Sequence, residues 1–127
     1  MNKTNLFAVI SSVKSGGMVP LVVPFIVDAR AAINLLRAHG RESGSVYVKE
    51  SSLELFIEDR HFKFFALSTA SDPKEFVQRL SGLMCPGFII DSKVLEFAGA
   101  EAGSLLAGLQ CRIRTVPPEK PFNFIFV

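Results

Sequence analysis

Tryptophan is absent from this 127-residue sequence, tyrosine occurs once, and cysteine and histidine occur twice each. The shortage of soft ligands removes the zinc readings. Cys85, Cys111, His39 and His61 stand apart, with no C-x-x-C and no H-x-x-x-H spacing. Two cysteines allow one disulfide, but a chain this apolar needs no staple, so both are read as buried thiols. Cys85-Pro86-Gly87 has no histidine or acid at a nucleophile spacing, and a thiol near a helix C-terminus gains no help in ionising. His61 beside Glu58 reads as a surface ion pair rather than an acid–base pair. The expectation is a protein that is not an enzyme and takes neither cofactor nor metal.

A long unbroken apolar run is missing too. Residues 18–27 hold Pro20 and Pro24, whereas a spanning helix needs about 18–20 apolar residues without such breaks. Lys3 ahead of 6–10 and the Ala29-Arg30-Ala31 triplet resemble parts of a signal peptide, but Ser11, Ser12 and Lys14 interrupt the apolar stretch. The reading is a soluble, cytoplasmic chain without membrane contact. Gly16-Gly17 lacks both G-x-G-x-x-G and a G-K-S/T ending, so it is no phosphate loop.

Phenylalanine is abundant, with 12 copies among 49% apolar and 20% charged residues. That balance is globular, and phenylalanine favours dry packing over a wet site. The length suits one domain over 1–127, and no repeat, linker or low-complexity tract divides it. The formal net charge is only +2, yet residues 1–41 hold five basic side chains against one acidic, and 42–59 hold five acidic against one basic. Such polarisation steers partners more than it holds a fold together.

The pattern along the chain predicts a hairpin of strands 6–14 and 18–27 around Ser15-Gly16-Gly17. Pro20 and Pro24 would remove donors from one side of the second strand, which places it on a sheet edge. Asp28 caps a helix over 29–39, with Gly40 as its stop and Arg30, Asn34, Arg37 and Arg41 at helical spacing on its polar side. Alternation over 46–67 predicts an antiparallel meander, with Ile57 opposite Phe62 and Leu55 opposite Phe64 across a four-residue turn. Its second face carries Glu54, Phe56 and Glu58 against His61, Lys63 and Phe65. Asp72-Pro73-Lys74-Glu75 opens a helix over 73–84. Short helices follow over 93–98 and 101–109, and strands over 110–116 and 122–127 with a stiff Pro117–Pro121 connector between them. Phe122, Phe124 and Phe126 are expected on one face of the last strand, which either closes the chain's own sheet or meets another chain.

The fold expected is a single α+β domain, one or two antiparallel sheets centred on the 46–67 meander and packed by amphipathic helices at 29–39 and 73–84. The function expected is a small protein-binding module (inhibitor, adaptor or regulatory subunit) whose partner is another protein or a second copy in a homodimer. Its contact residues are taken as Arg30, Arg37, Arg41, Glu54, Phe56, Glu58, Phe122, Phe124 and Phe126. The alternative is a nucleic-acid-associated regulator using Arg30, Arg37, Arg41, Arg112 and Arg114, though it lacks the stacking pattern of a sheet-based RNA binder.

Overall fold

Val19, Leu21, Val22 and Val23 are each at most 2% exposed. A strand buried on both faces belongs in the middle of a sheet with helices above and below it. The computed structural model describes residues 3–13, 17–43 and 46–127, and in it these residues form the central strand of an α+β fold. β1 (Met18–Val23) lies between β4 (Arg60–Ala66) and β5 (Gly87–Ile90), parallel to both. β6 (Asn123–Phe126) continues the parallel set beyond β5. On the other flank β3 (Glu54–Ile57) and β2 (Val46–Lys49) are antiparallel, so the sheet is mixed, in the order β2-β3-β4-β1-β5-β6.

Parallel neighbours need crossovers. α1 (Lys3–Ser12) and α2 (Ile26–Ser43) supply one face: Leu6, Ile10, Ala32, Ile33 and Leu36 close over Leu21, Leu55, Phe62 and Phe64. α3 (Pro73–Arg79), α4 (Lys93–Ala98) and α5 (Ala102–Gln110) supply the other, where Phe76, Val94, Leu105 and Leu109 close over Val22, Phe88 and Ile90. The path moves one way from β1 to β4 and the other way from β4 to β5, and keeping one hand of crossover then requires this change of face. Phe62 and Phe88 are wholly buried, one in each layer, and contribute about 2–3 kcal/mol apiece.

The mixed sheet corrects the purely antiparallel expectation. Residues 6–14 are not a strand, since α1 occupies most of them. Leu6, Ile10 and Val13 recur at helical spacing and are the buried members. Lys14 at the end of that expected strand, and Ser15 and Gly16 of the expected turn, lie outside the described residues. β1 is central rather than marginal despite Pro20. Val22 C=O accepts Asp91 N–H at 2.9 Å, so even-numbered residues of β1 turn their polar groups to β5. Pro20 therefore removes a donor just short of a β1–β5 ladder that holds only Leu21↔Ile89 and Val22↔Ile90.

α2 begins three residues before the expected start, because Asp28 acts within the first turn: its carboxylate accepts Phe25 N–H at 3.1 Å. The helix then runs through Gly40 to Ser43. The meander keeps its expected faces but pairs Leu55 with Phe62 and Ile57 with Arg60, two residues from the expected register. A two-residue Glu58-Asp59 turn replaces the four-residue one, Glu58 taking the left-handed φ of 55° that such turns demand. A shift of two preserves which side chains face inward.

Asp72 caps α3 as expected, accepting Glu75 N–H at 2.8 Å, but the helix ends at Arg79 rather than 84. Ser81 N–H and Leu83 N–H tighten the chain onto Gln78 and Leu80, and Gly82 at φ 87° turns it away. The expected strand over 110–116 is replaced by the end of α5, a turn and a single bridge between Ile113 and Cys85. The Pro117–Pro121 connector is not extended: the Pro117–Pro118 peptide is cis and Glu119 N–H reaches Val116 C=O at 3.1 Å. β6 closes the chain's own sheet, but Phe122 does not share the face of Phe124 and Phe126. Asn123 at φ 62° resets the alternation, so Phe122 joins Ile125 and Val127 in one layer while Phe124 packs in the other.

Candidate functional site

Four parallel strands bring their carboxyl ends to one margin of the sheet. Three connections leave there: Pro24-Phe25 after β1, the Leu67–Thr69 turn after β4, and Asp91-Ser92 after β5. β1 hands the chain toward β4 and β5 hands it toward β6, so the connections diverge between β1 and β5. Open α/β sheets bind ligands at such a divergence. Ser68 N–H ties the β4 turn to Pro24 C=O at 2.9 Å. Asp91 is 1% exposed and its carboxylate accepts Lys93 N–H at 3.1 Å, fixing the entry to α4.

Apolar side chains crown this margin. Phe25 meets Phe97 of α4 edge-on, centroids 4.9 Å apart, and Ile26 and Val27 follow in the first turn of α2. Their exposures are 45% for Phe25, 48% for Phe97, 38% for Ile26 and 69% for Val27. Phe97 also walls a groove of about 280 Å³ whose lining includes Asp72 and Glu101 beside Leu67, Ala70 and Pro73. No protein-family model, curated protein or solved structure matches the chain. The site must therefore be read from its own chemistry.

The residues expected to bind partners are dispersed. Glu54 and Phe56 lie on the sheet face that faces away from α2, in a row with Tyr47 and His61. Phe56 stands between the Tyr47 ring at 5.8 Å and the stacked His61 ring at 4.2 Å. His61 Nε2 pairs with Glu54 Oε1 at 2.9 Å, not with Glu58 as the sequence suggests. The Ser52 hydroxyl, and after it His61, holds the Glu54 carboxyl below the usual carboxylate range. Glu58 sits in the turn, 3.9 Å from Arg60. These side chains engage one another across neighbouring strands.

The arginines do not form one surface. Arg30 and Arg37 project from α2, and Arg37 is paired to Glu50 at 2.5 Å, so the basic and acidic segments meet within the chain. The side chain of Arg41 lies outside the described residues. Arg112 is in the opposite layer, donating to Val77 C=O of α3 at 3.3 Å, and Arg114 is exposed beyond it. Of the thiols, Cys85 is buried and burial pushes it up to about 11, whereas Cys111 is exposed, contrary to expectation. Among the described residues no three His, Cys, Asp or Glu side chains gather at metal-binding distance, and no helix is long and apolar enough to cross a membrane.

Phe25, Ile26, Val27 and Phe97 were absent from the sequence-based site. A signal existed in Phe25-Ile26-Val27, a bulky apolar run directly ahead of Asp28 where the β1–α2 connection passes into the first turn of the helix.

Proposed function

We propose that this chain is a small non-enzymatic protein-binding module that docks its partner at the carboxyl margin of the parallel strands. The observation that carries this reading is the joint exposure of Phe25, Ile26, Val27 and Phe97 at the place where the strand connections diverge. Contiguous apolar exposure on a folded protein marks an interaction surface, and aromatic anchors of this kind dominate interface energetics. The adjoining groove adds Asp72 and Glu101, so the partner segment combines a bulky apolar residue with lysine or arginine.

Panning a displayed random-peptide library on the intact protein tests this. Peptides that pair an aromatic or aliphatic anchor with basic neighbours are expected to be enriched. Their affinity is expected to fall about tenfold or more in Phe25→Ser/Phe97→Asp, the loss of one strong anchor. Both positions are exposed, so the variant keeps its circular dichroism spectrum. No enrichment, or equal binding by the double variant, refutes the reading.

A further inference from the structure

The sheet has two outer strands, β2 and β6, and they are protected unequally. β2 carries Lys49 and is followed directly by Glu50, charges of the kind that discourage edge pairing. β6 has none: no charged residue lies between Pro121 and Val127. Its polar groups are also ordered for pairing. Val127 N–H donates to Ile90 C=O at 2.9 Å, and Ser92 N–H donates to Val127 C=O at 2.9 Å. Odd-numbered residues of β6 thus turn their backbone to β5, and Phe124 and Phe126 turn theirs outward.

We infer that β6 pairs with β6 of a second copy, antiparallel about a dyad at Ile125, so that two six-stranded sheets become one. With Ile125 on the dyad, Phe124 lies opposite Phe126 of the second copy and Phe126 opposite its Phe124. All four are the outward-bonding residues, so each facing pair exchanges two backbone hydrogen bonds. Each pair also sets one phenylalanine against another on the same face. The arrangement is isologous and closes at two copies. Phe126, 43% exposed in the single chain, gains a neighbour. Asn123 at φ 62° and Pro121 end the paired segment on one side.

Sedimentation equilibrium of the full chain is expected to show the 13.9 kDa mass doubling as concentration rises. Phe126→Pro deletes an outward N–H that the single chain does not use within its sheet, and is expected to stay folded and remain a monomer throughout. A second variant reads the register itself. Ile125→Cys in a Cys111→Ser background puts two thiols at a non-hydrogen-bonded pair, where backbones approach to about 4.5 Å and a disulfide can span. Mild oxidation is expected to give a covalent dimer, whereas Phe124→Cys, which faces position 126, does not cross-link to itself. A monomer at every concentration, or a dimer that survives Phe126→Pro and fails to cross-link at 125, overturns the inference. If Phe126→Pro unfolds, the cross-link decides alone. Failure here leaves the docking site untouched, because Phe25→Ser/Phe97→Asp lies outside the dimer seam and Phe126→Pro leaves peptide binding in place.

Discussion

Gly87 opens β5 at the point where β6 is laid against it, and a methyl group there tests how closely the two strands approach. A Cβ built on Gly87 stands 2.5 Å from Asn123 O and 2.5 Å from the Phe122 ring. The backbone oxygen cannot rotate away, and Phe122 belongs to the packed layer of Leu21 and Ile89. Relief therefore requires β6 to move outward, which weakens the Gly87↔Asn123 and Phe88↔Phe124 pairing. Overpacking of this kind costs about 3 kcal/mol, the upper end of the ordinary range. Two other glycines calibrate the measurement. Gly103 in α5 has nothing within 4 Å of its virtual Cβ, so Gly103→Ala gains helix propensity of up to about 1 kcal/mol. Gly108 would meet the Val77 methyls at 2.9 Å, so its propensity gain is offset and Gly108→Ala is close to neutral. Urea unfolding followed by circular dichroism ranks the three, with Gly103→Ala most stable and Gly87→Ala least. A Gly87→Ala midpoint equivalent to within about 0.5 kcal/mol of the parent refutes the close-approach argument.

Asp72→Ala removes the carboxylate that caps α3 and is expected to cost about 1 kcal/mol by urea titration, with Asp72→Asn recovering most of it. A thiol reagent at about pH 8 is expected to label Cys111 alone in the folded protein, since burial keeps Cys85 protonated; two labels per native chain contradict the burial. Glu54 is held below the usual carboxylate range, so its contribution is present above its unfolded pKa and is lost as pH falls through the folded one. Between about pH 6 and pH 3 the parent is accordingly expected to lose more stability than Glu54→Gln, and equal losses would show that Ser52 and His61 do not stabilise the charge.

Local signals carried part of the fold. The cap at Asp72, the helices at 93–98 and 101–109 and the inward faces of Leu55 and Phe62 each depend on neighbours a few residues away, and each appears where the sequence placed it or within a residue or two. The parallel half is different. Leu21 pairs with both Phe64 and Ile89, and nothing near residue 21 encodes either partner. Runs such as 19–23 and 88–90 fit a marginal strand, a buried strand or a short helix equally well, and only coverage of both faces distinguishes them. α1 was legible and misread, because Leu6, Ile10 and Val13 repeat at helical spacing behind a run that also suits a strand. The candidate site was missed for a related reason: exposure of Phe25 and Phe97 follows from where three connections diverge, which no single segment contains.

Pro20 has a consequence in time as well as in space. β1 is synthesised long before β4 and β5, so Val19, Leu21, Val22 and Val23 wait with both margins open. An apolar, uncharged stretch of high strand propensity is a template for mispairing between nascent chains. In the finished sheet the missing donor of Pro20 is a small defect at the short β1–β5 ladder, and Pro24 lies just beyond the strand. In the unfinished chain the same two rings interrupt any ladder that another chain could build along that margin. The prolines thus guard β1 for the interval before its own neighbours arrive.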